Sequence, residues 1–303
     1  MKNLILAIFI TATIRVNAGA QQPPETIPAA VVSTTGASVA GACECRRCIA
    51  VYGDSRSNHD IHAKIAALIK ARRPQAVFHA GDMVDDGWNK KAWEKFKEIT
   101  KDLRESASFY AVLGNHEEGG EKTFNDIFRY PGNGRWYRAG LHGIRFIMLD
   151  VLSPLEKSSE QFKWLEAELN SPMNTNKFTA IVVHKPLMSS GRHWNEKWGP
   201  AKDLEALFMK YKVAVVLAGH DHNYERLEKD GLVCIVTGGG GADLRAQESK
   251  SQYSRIFAET NNYCVLSVCG EALKAEVFDI NDKLIDSFEI PASTTAISSV
   301  DGK

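Results

Sequence analysis

Two histidines one residue apart, His220 and His222, stand in the stretch Ala218-Gly219-His220-Asp221-His222-Asn223-Tyr224-Glu225, just after the apolar run Val213 to Leu217. On a turn at a strand end such a pair can aim both imidazoles into one pocket, and imidazole is the commonest metal ligand. Taken alone, an H-x-H pair on a loop fits a solvated turn equally well. Four more apolar runs upstream end in oxygen or nitrogen donors. They are Asp54 in Gly53-Asp54-Ser55-Arg56, Asp82 in Gly81-Asp82-Met83-Val84-Asp85-Asp86-Gly87, Asn115 and His116 in Gly114-Asn115-His116-Glu117, and His184 in His184-Lys185-Pro186. Gly-Asp and Gly-Asn are common turn pairs, so each ending alone has a structural explanation. Five in succession are hard to explain as turns alone and suit a metal site.

The elements that must position these residues alternate. A short apolar strand from Cys48 to Tyr52 precedes a helix with Ile61, Ile65, Leu68 and Ile69 at helical spacing, which ends before Pro74. A strand over Ala76 to Ala80, a helix carrying Trp93, Phe96, Ile99 and Leu103, and a strand over Phe109 to Leu113 follow. Ile144 to Leu149 pairs with Trp136 to Tyr137 across a turn at Leu141-His142-Gly143. Phe162 to Leu169 and Asp203 to Lys210 read as helices, Phe178 to Val183 as a strand. Beyond the histidine pair, Leu232 to Thr237, Cys264 to Val268, Ala275 to Phe278 and Ile285 to Ile290 read as strands joined by hairpins. Alternation implies a mainly parallel sheet with helices outside, and the strand-rich tail a second sheet or a continuation. Ligand sites in such folds gather at the carboxyl ends of strands.

The ends of the chain carry other signals. Lys2, the apolar run Leu4 to Ile14 and Ala18-Gly19-Ala20 predict a cleaved signal peptide over 1–20. The run is too short for a membrane span, which takes ~20 apolar residues, so the mature chain is expected to be secreted or periplasmic, with no membrane span. A Pro-, Ala-, Ser- and Thr-rich stretch, 21–47, reads as a flexible linker, 48–291 as one domain and 292–303 as a disordered tail. Cys43, Cys45 and Cys48 cluster, while Cys234, Cys264 and Cys269 lie near the other end. An oxidising compartment favours pairing among some of them; zinc at the C-x-C-x-x-C cluster or a lipid on Cys43 are the alternatives. Thirty-seven basic residues balance thirty-seven acidic ones, so nothing in the charge favours nucleic acid as a partner.

The five blocks, read as GDSR, GDMVDDG, GNHE, VVHKP and GHDH, resemble the calcineurin-like metallophosphoesterases, in particular the purple acid phosphatase-like branch. The resemblance runs from Cys48 to about Gly241. It implies an α/β fold with a two-sheet β-sandwich core flanked by helices, and an exported phosphatase or phosphodiesterase holding two metal ions (Fe, Zn or Mn). By resemblance Asp82 bridges them, Asp54 and His222 complete the first site, and Asn115, His184 and His220 hold the second. A hydroxide between the metals would attack the phosphorus of a phosphoester, with His116 contacting the phosphoryl group or protonating the leaving alkoxide. His193, on a loop that overhangs the metals in similar phosphatases, is expected to help bind phosphate.

Two positions depart from that pattern. Arg56 replaces the histidine of D-x-H and cannot ligate a metal; it either binds a phosphate oxygen or pairs with an acidic neighbour. Asp85 stands where purple acid phosphatases have an iron-ligating tyrosine, and it is read as a ligand, a helix cap or a support for one. Glu117 and Glu225 are candidates for orienting the histidines, and Gly238 to Gly241 for a tight loop close to the site. The substitution at Arg56 also leaves room for an alternative, a noncatalytic metal-binding scaffold of the same fold.

Overall fold

A computed structural model describes residues 48–173 and 175–292. The expected leader, the expected linker and the tail beyond Ala292 lie outside them. In chain order the elements are β1 (Ile49–Tyr52), α1 (His59–Ala71), β2 (Ala76–His79), α2 (Lys90–Ser106), β3 (Ser108–Ala111), a 3-10 turn (Asn115–Glu117), α3 (Glu121–Phe128), β4 (Tyr137–Leu141), β5 (Ile144–Met148), α4 (Glu160–Asn170), β6 (Phe178–Val182) and α5 (Ala201–Lys210). They continue with β7 (Val215–Ala218), β8 (Tyr224–Lys229), β9 (Leu232–Thr237), β10 (Ser254–Ala258), β11 (Asn262–Cys269), β12 (Ala272–Asp279) and β13 (Leu284–Pro291).

These strands form two sheets, ordered β13-β12-β11-β1-β2-β3 and β10-β8-β9-β7-β6-β5-β4. β1, β2 and β3 run parallel, as do β5, β6, β7 and β9. The strand-rich tail continues the first sheet, because β11 pairs antiparallel with β1. Side chains alternate between two apolar layers, so these strands read as unbroken hydrophobic runs. Ile49 and Val51 enter the space between the sheets with Val182 and Leu217, where Phe78 of β2 stacks on Phe146 of β5 at 4.1 Å. On the outer faces, Ala50 and Tyr52 meet Ile65 and Ile69 of α1, and Ile147, Ile181 and Val216 meet α4 and α5 through Leu165, Leu204 and Phe208.

The parallel strands of both sheets end along one shared edge. His184, after β6, places Nδ1 2.8 Å from the Ala80 carbonyl after β2, and the backbone N–H of His220, after β7, donates to Asp54 Oδ2 after β1 at 2.9 Å. At the other end of the chain's cysteine pattern, Cys234, Cys264 and Cys269 are unpaired thiols, so the expected pairing does not involve them; Cys43 and Cys45 lie outside the described residues.

Behind the sheet edge sits a buried polar pair, with Tyr52 Oη 3.2 Å from His62 Nε2, and His79 Nε2 2.9 Å from Ser55 Oγ. Burial, reinforced by His59, pushes His62 down to about 3, and burial with His62 and His184 holds His79 well below the ordinary imidazole range. Unfolded, both titrate near 6.5, so below that pH the unfolded chain takes up protons that the folded chain refuses. Their stabilising contribution is complete above about 6.5 and declines as pH falls toward the folded value, by about 1.4 kcal/mol per pH unit for each histidine. Urea unfolding at pH 6, 5 and 4 is therefore expected to show a shallower stability loss in His62→Gln than in the wild type, by about that amount per unit. Identical slopes would contradict the assignment.

Candidate metal centre

Three of the donors have left-handed backbones: Asp54 (φ 56), Asp82 (φ 57) and His220 (φ 69). That conformation costs a residue with a side chain roughly 1–2 kcal/mol, and here it turns the chain sharply at the strand end so that the donors face the shared edge. Glycines make room for them. Gly81 (φ +89) lies where an added Cβ would be 2.8 Å from both the Gly114 nitrogen and His184 Nδ1, and at Gly219 it would stand 2.1 Å from Asp54 Oδ2. The Gly238–Gly241 segment passes close to the site, as its composition predicts: a Cβ on Gly238 would be 2.8 Å from Asp54 Oδ2.

One half of the site gathers four donors. His184 Nε2 lies 3.1 Å from Asn115 Oδ1, 3.2 Å from His220 Nδ1 and 3.3 Å from Asp82 Oδ1. Each imidazole has its other nitrogen committed elsewhere, which fixes the tautomer. His184 donates from Nδ1 to the Ala80 carbonyl, and His220 from Nε2 to Glu196 Oε2 at 2.8 Å. The lone pairs that remain point at one another's neighbourhood, with Asn115 and Asp82 supplying oxygens. Burial lowers His184, and burial with His184 and His193 lowers His220 to about 2, so both stay neutral, the form that ligates. Burial opposes the Asp82 carboxylate, but His184, His116 and Arg56 outweigh it and hold Asp82 below its ordinary range. The donor chemistry of this half fits a divalent or trivalent cation.

The other half is different. Asp54, Asp82 and His222 bring ligand atoms within 4.8 Å of one another, and His222 Nδ1 donates to the Asp243 carbonyl at 2.7 Å, leaving Nε2 facing in. Burial, then Arg245, lowers His222 to about 4, while burial and the nearby Asp82 raise Asp54 well above its usual range. Into this half, however, comes Arg56, with Nε 3.3 Å from Asp82 Oδ2 and Nη2 3.5 Å from His222 Nε2. Its guanidinium is a fixed cation that cannot be a ligand, so it occupies donor atoms of this half, Asp82 Oδ2 and His222 Nε2, without adding one.

Around this core the remaining expected residues are placed as follows. His116 donates from Nδ1 to the Asp85 carbonyl at 2.7 Å, leaving Nε2 3.9 Å from Asp82 Oδ2 and reachable from solvent. His193 stacks on His220 with ring centres 3.9 Å apart, and its Nδ1 donates to the buried Asp221 at 2.9 Å. The Asp85 carboxylate receives Ser57 Oγ at 2.6 Å and Arg56 Nη1 at 3.3 Å. It is not the helix cap, because Asn89 caps α2.

Two expectations need correction. Glu117 orients no histidine: its carboxylate accepts the backbone N–H groups of Asp82, Met83, Val84 and Gly114 at 2.7–3.2 Å, and so shapes the loop that presents Asp82. Glu225 accepts the Ser190 N–H at 2.7 Å and likewise touches no histidine. Glu196, Asp221 and Arg245 escaped the sequence reading. Glu196 stands three residues after His193, a local signal available in hindsight; Arg245, whose Nη1 lies 3.1 Å from His193 Nδ1 and from the His220 carbonyl, carries no local signal at all.

Two sheets packed face to face between helices, with carboxylate, carboxamide and imidazole donors at one common edge, define an αββα scaffold with a candidate metal centre. A family model, calcineurin-like phosphoesterase, matches residues 49–224, more than half of the chain, and the chain belongs to that family. Within the family it is similar to the purple acid phosphatases. Purple acid phosphatase 21 of Arabidopsis thaliana is 27% identical over 164 residues, covering 49% of this chain and 38% of the relative. Probable inactive purple acid phosphatase 24 of the same plant is 26% identical over 212 residues, covering 55% and 34%. The aligned part thus spans little more than a third of those proteins. Among solved structures, purple acid phosphatase PPD1 from yellow lupin (Lupinus luteus) seeds superposes with a TM-score of 0.72 at 20% identity, over 81% of this chain and 53% of that one, and supports the two-sheet fold.

Proposed function

We propose that the chain is an exported metal-dependent phosphoester hydrolase, phosphatase or phosphodiesterase, of the acid phosphatase kind. The observation that carries the reading is that Asp82 Oδ1, Asn115 Oδ1 and His220 Nδ1 all lie 3.1–3.3 Å from His184 Nε2, with the tautomer of both histidines fixed from behind. Asp82, Asn115, His184 and His220 would hold a Zn, Mn or Fe ion, and the chemistry such an ion supplies when bound is Lewis acidity toward a phosphoryl oxygen and the attacking water. Arg56 and His193, on either side of the donors, would bind the phosphoryl oxygens. His116, fixed through Nδ1, would use Nε2 to deliver a proton to the leaving oxygen. Residues 1–20 are proposed as the leader, 21–47 as linker and 48–291 as the catalytic domain, which places the mature protein outside the cytoplasm. Among the described residues no helix is long and apolar enough to cross a membrane.

The test is hydrolysis of a chromogenic phosphomonoester and a phosphodiester with and without added manganese, zinc or iron. Cation-dependent turnover is expected, and His116→Ala is expected to lower kcat by about 10²-fold with bound metal unchanged. The position of Arg56 favours one other reading, a noncatalytic metal-binding scaffold. Bound metal without turnover of either ester would select it.

A further inference from the structure

We infer that the Arg56 guanidinium takes the seat of the first cation, so that this chain binds one metal ion, held by Asp82, Asn115, His184 and His220. The inference rests on the metal-dependent reading above and concerns how its charge is supplied.

Three observations carry it. First, the ligating atoms of the Asp54 half already have N–H partners. Arg56 Nε reaches Asp82 Oδ2 at 3.3 Å, the oxygen turned away from His184, and Nη2 reaches the inward lone pair of His222 at 3.5 Å. Asp54 accepts the His220 backbone N–H at both carboxylate oxygens, 3.1 and 2.9 Å. Second, the guanidinium is anchored. Its side chain is 14% exposed, and Nη1 meets Asp85, whose carboxylate is itself held by Ser57. The residue that could have completed a metal shell from that side instead fixes the arginine. Third, the two halves contrast. Among the described residues no lysine or arginine hydrogen-bonds to the four donor atoms of the Asn115 half, whereas the Asp54 half has a permanent cation among its donors, and a metal ion there would sit beside a like charge.

Chemically, the substitution exchanges a Lewis acid for a planar fork of N–H donors. The guanidinium offsets the Asp54 and Asp82 carboxylates and can still bind a phosphoryl oxygen. Acidification of water would then be supplied by one ion, held by Asp82, Asn115, His184 and His220.

The experiment is metal stoichiometry. Protein stripped with a chelator is reloaded with Mn(II), desalted and assayed for manganese per chain, with electron paramagnetic resonance of the same samples. The wild type is expected to hold one ion and give the spectrum of isolated Mn(II). Arg56→His, which restores a ligand and removes the charge, is expected to hold two and give a spin-coupled spectrum. Arg56→Gly, which removes the charge alone, serves as a second variant should the histidine fail to fold, and is expected to bind a second ion more weakly. Two ions in the wild type would overturn the inference and leave the proposed hydrolase intact. One ion in the wild type and in both folded variants would also overturn it, because Arg56 would not be what excludes the second ion. No ion in any of them would remove the metal-dependent reading itself, and this inference with it.

Discussion

Asp82→Ala is expected to abolish turnover, with a fall in kcat of at least about 10³-fold, of the order seen when a preorganised charge-stabilising group is removed, together with loss of bound metal. Asp82 is the residue on which both halves of the site converge. Oδ1 lies 3.3 Å from His184 Nε2 and accepts the His116 backbone N–H at 3.1 Å, while Oδ2 faces Arg56. Truncation removes one candidate metal ligand, unpairs a nearly buried guanidinium and frees the turn that carries Asn115 and His116. Asp82→Asn separates these contributions, since it keeps the shape and one oxygen but removes the charge. It is expected to retain the fold and lose most of the metal affinity. Elemental analysis and steady-state kinetics on both variants check this, and an alanine variant with wild-type metal content would refute the central place given to Asp82.

Glu117→Ala is expected to lower stability by about 4 kcal/mol or more. Its carboxylate accepts four backbone N–H groups in a buried loop, from Asp82 and Gly114 at Oε2 and from Met83 and Val84 at Oε1. An unsatisfied buried donor costs roughly 1–3 kcal/mol, and alanine leaves four of them without a partner. Burial and the Asp82 charge push the Glu117 carboxyl up to about 8, and the N–H groups of Gly114, Val84 and Asp82 act against that rise. Glu117→Gln keeps one oxygen and turns an NH₂ toward N–H groups, so it is expected to fall between wild type and alanine. Urea midpoints for the three proteins measure the order, and a loss below about 1 kcal/mol in the alanine variant would show that other contacts hold the loop.

The candidate donors were legible in the sequence because each is a local event. Asp54, Asp82, Asn115, His184 and His220 each stand within four residues of a strand end, four of them just after a glycine, and strand ends are where such folds place ligands. Two strands were not legible. β8 is interrupted by Glu225, Arg226, Glu228 and Lys229, which erase any apolar period, and its pairing is set by distant partners: Tyr224 Oη and Arg226 Nε both donate to Asp286 on β13, at 2.6 and 2.7 Å. β10 is a short and partly exposed edge strand. Glu117 was misjudged for a related reason. Its position beside two site residues suggested a histidine partner, but the loop folds so that backbone amides reach the carboxylate first. The fate of Arg56 depended on residues from two other loops, Asp82 and Asp85 on one and His222 on the other, and no spacing rule connects them to Arg56.

The pairing of β11 with β1 has a consequence for how the chain is made. β1 carries Asp54 at its end, yet it is an interior strand only because Cys264, Val265 and Leu266, more than two hundred positions later in the sequence, lie alongside Val51, Ala50 and Ile49. A ribosome has therefore delivered all five donor-bearing loops before the strand that closes the first sheet exists. Until then β1 has an open edge, and long-range pairings of this kind form slowly. The first sheet therefore cannot be completed until most of the chain has been made.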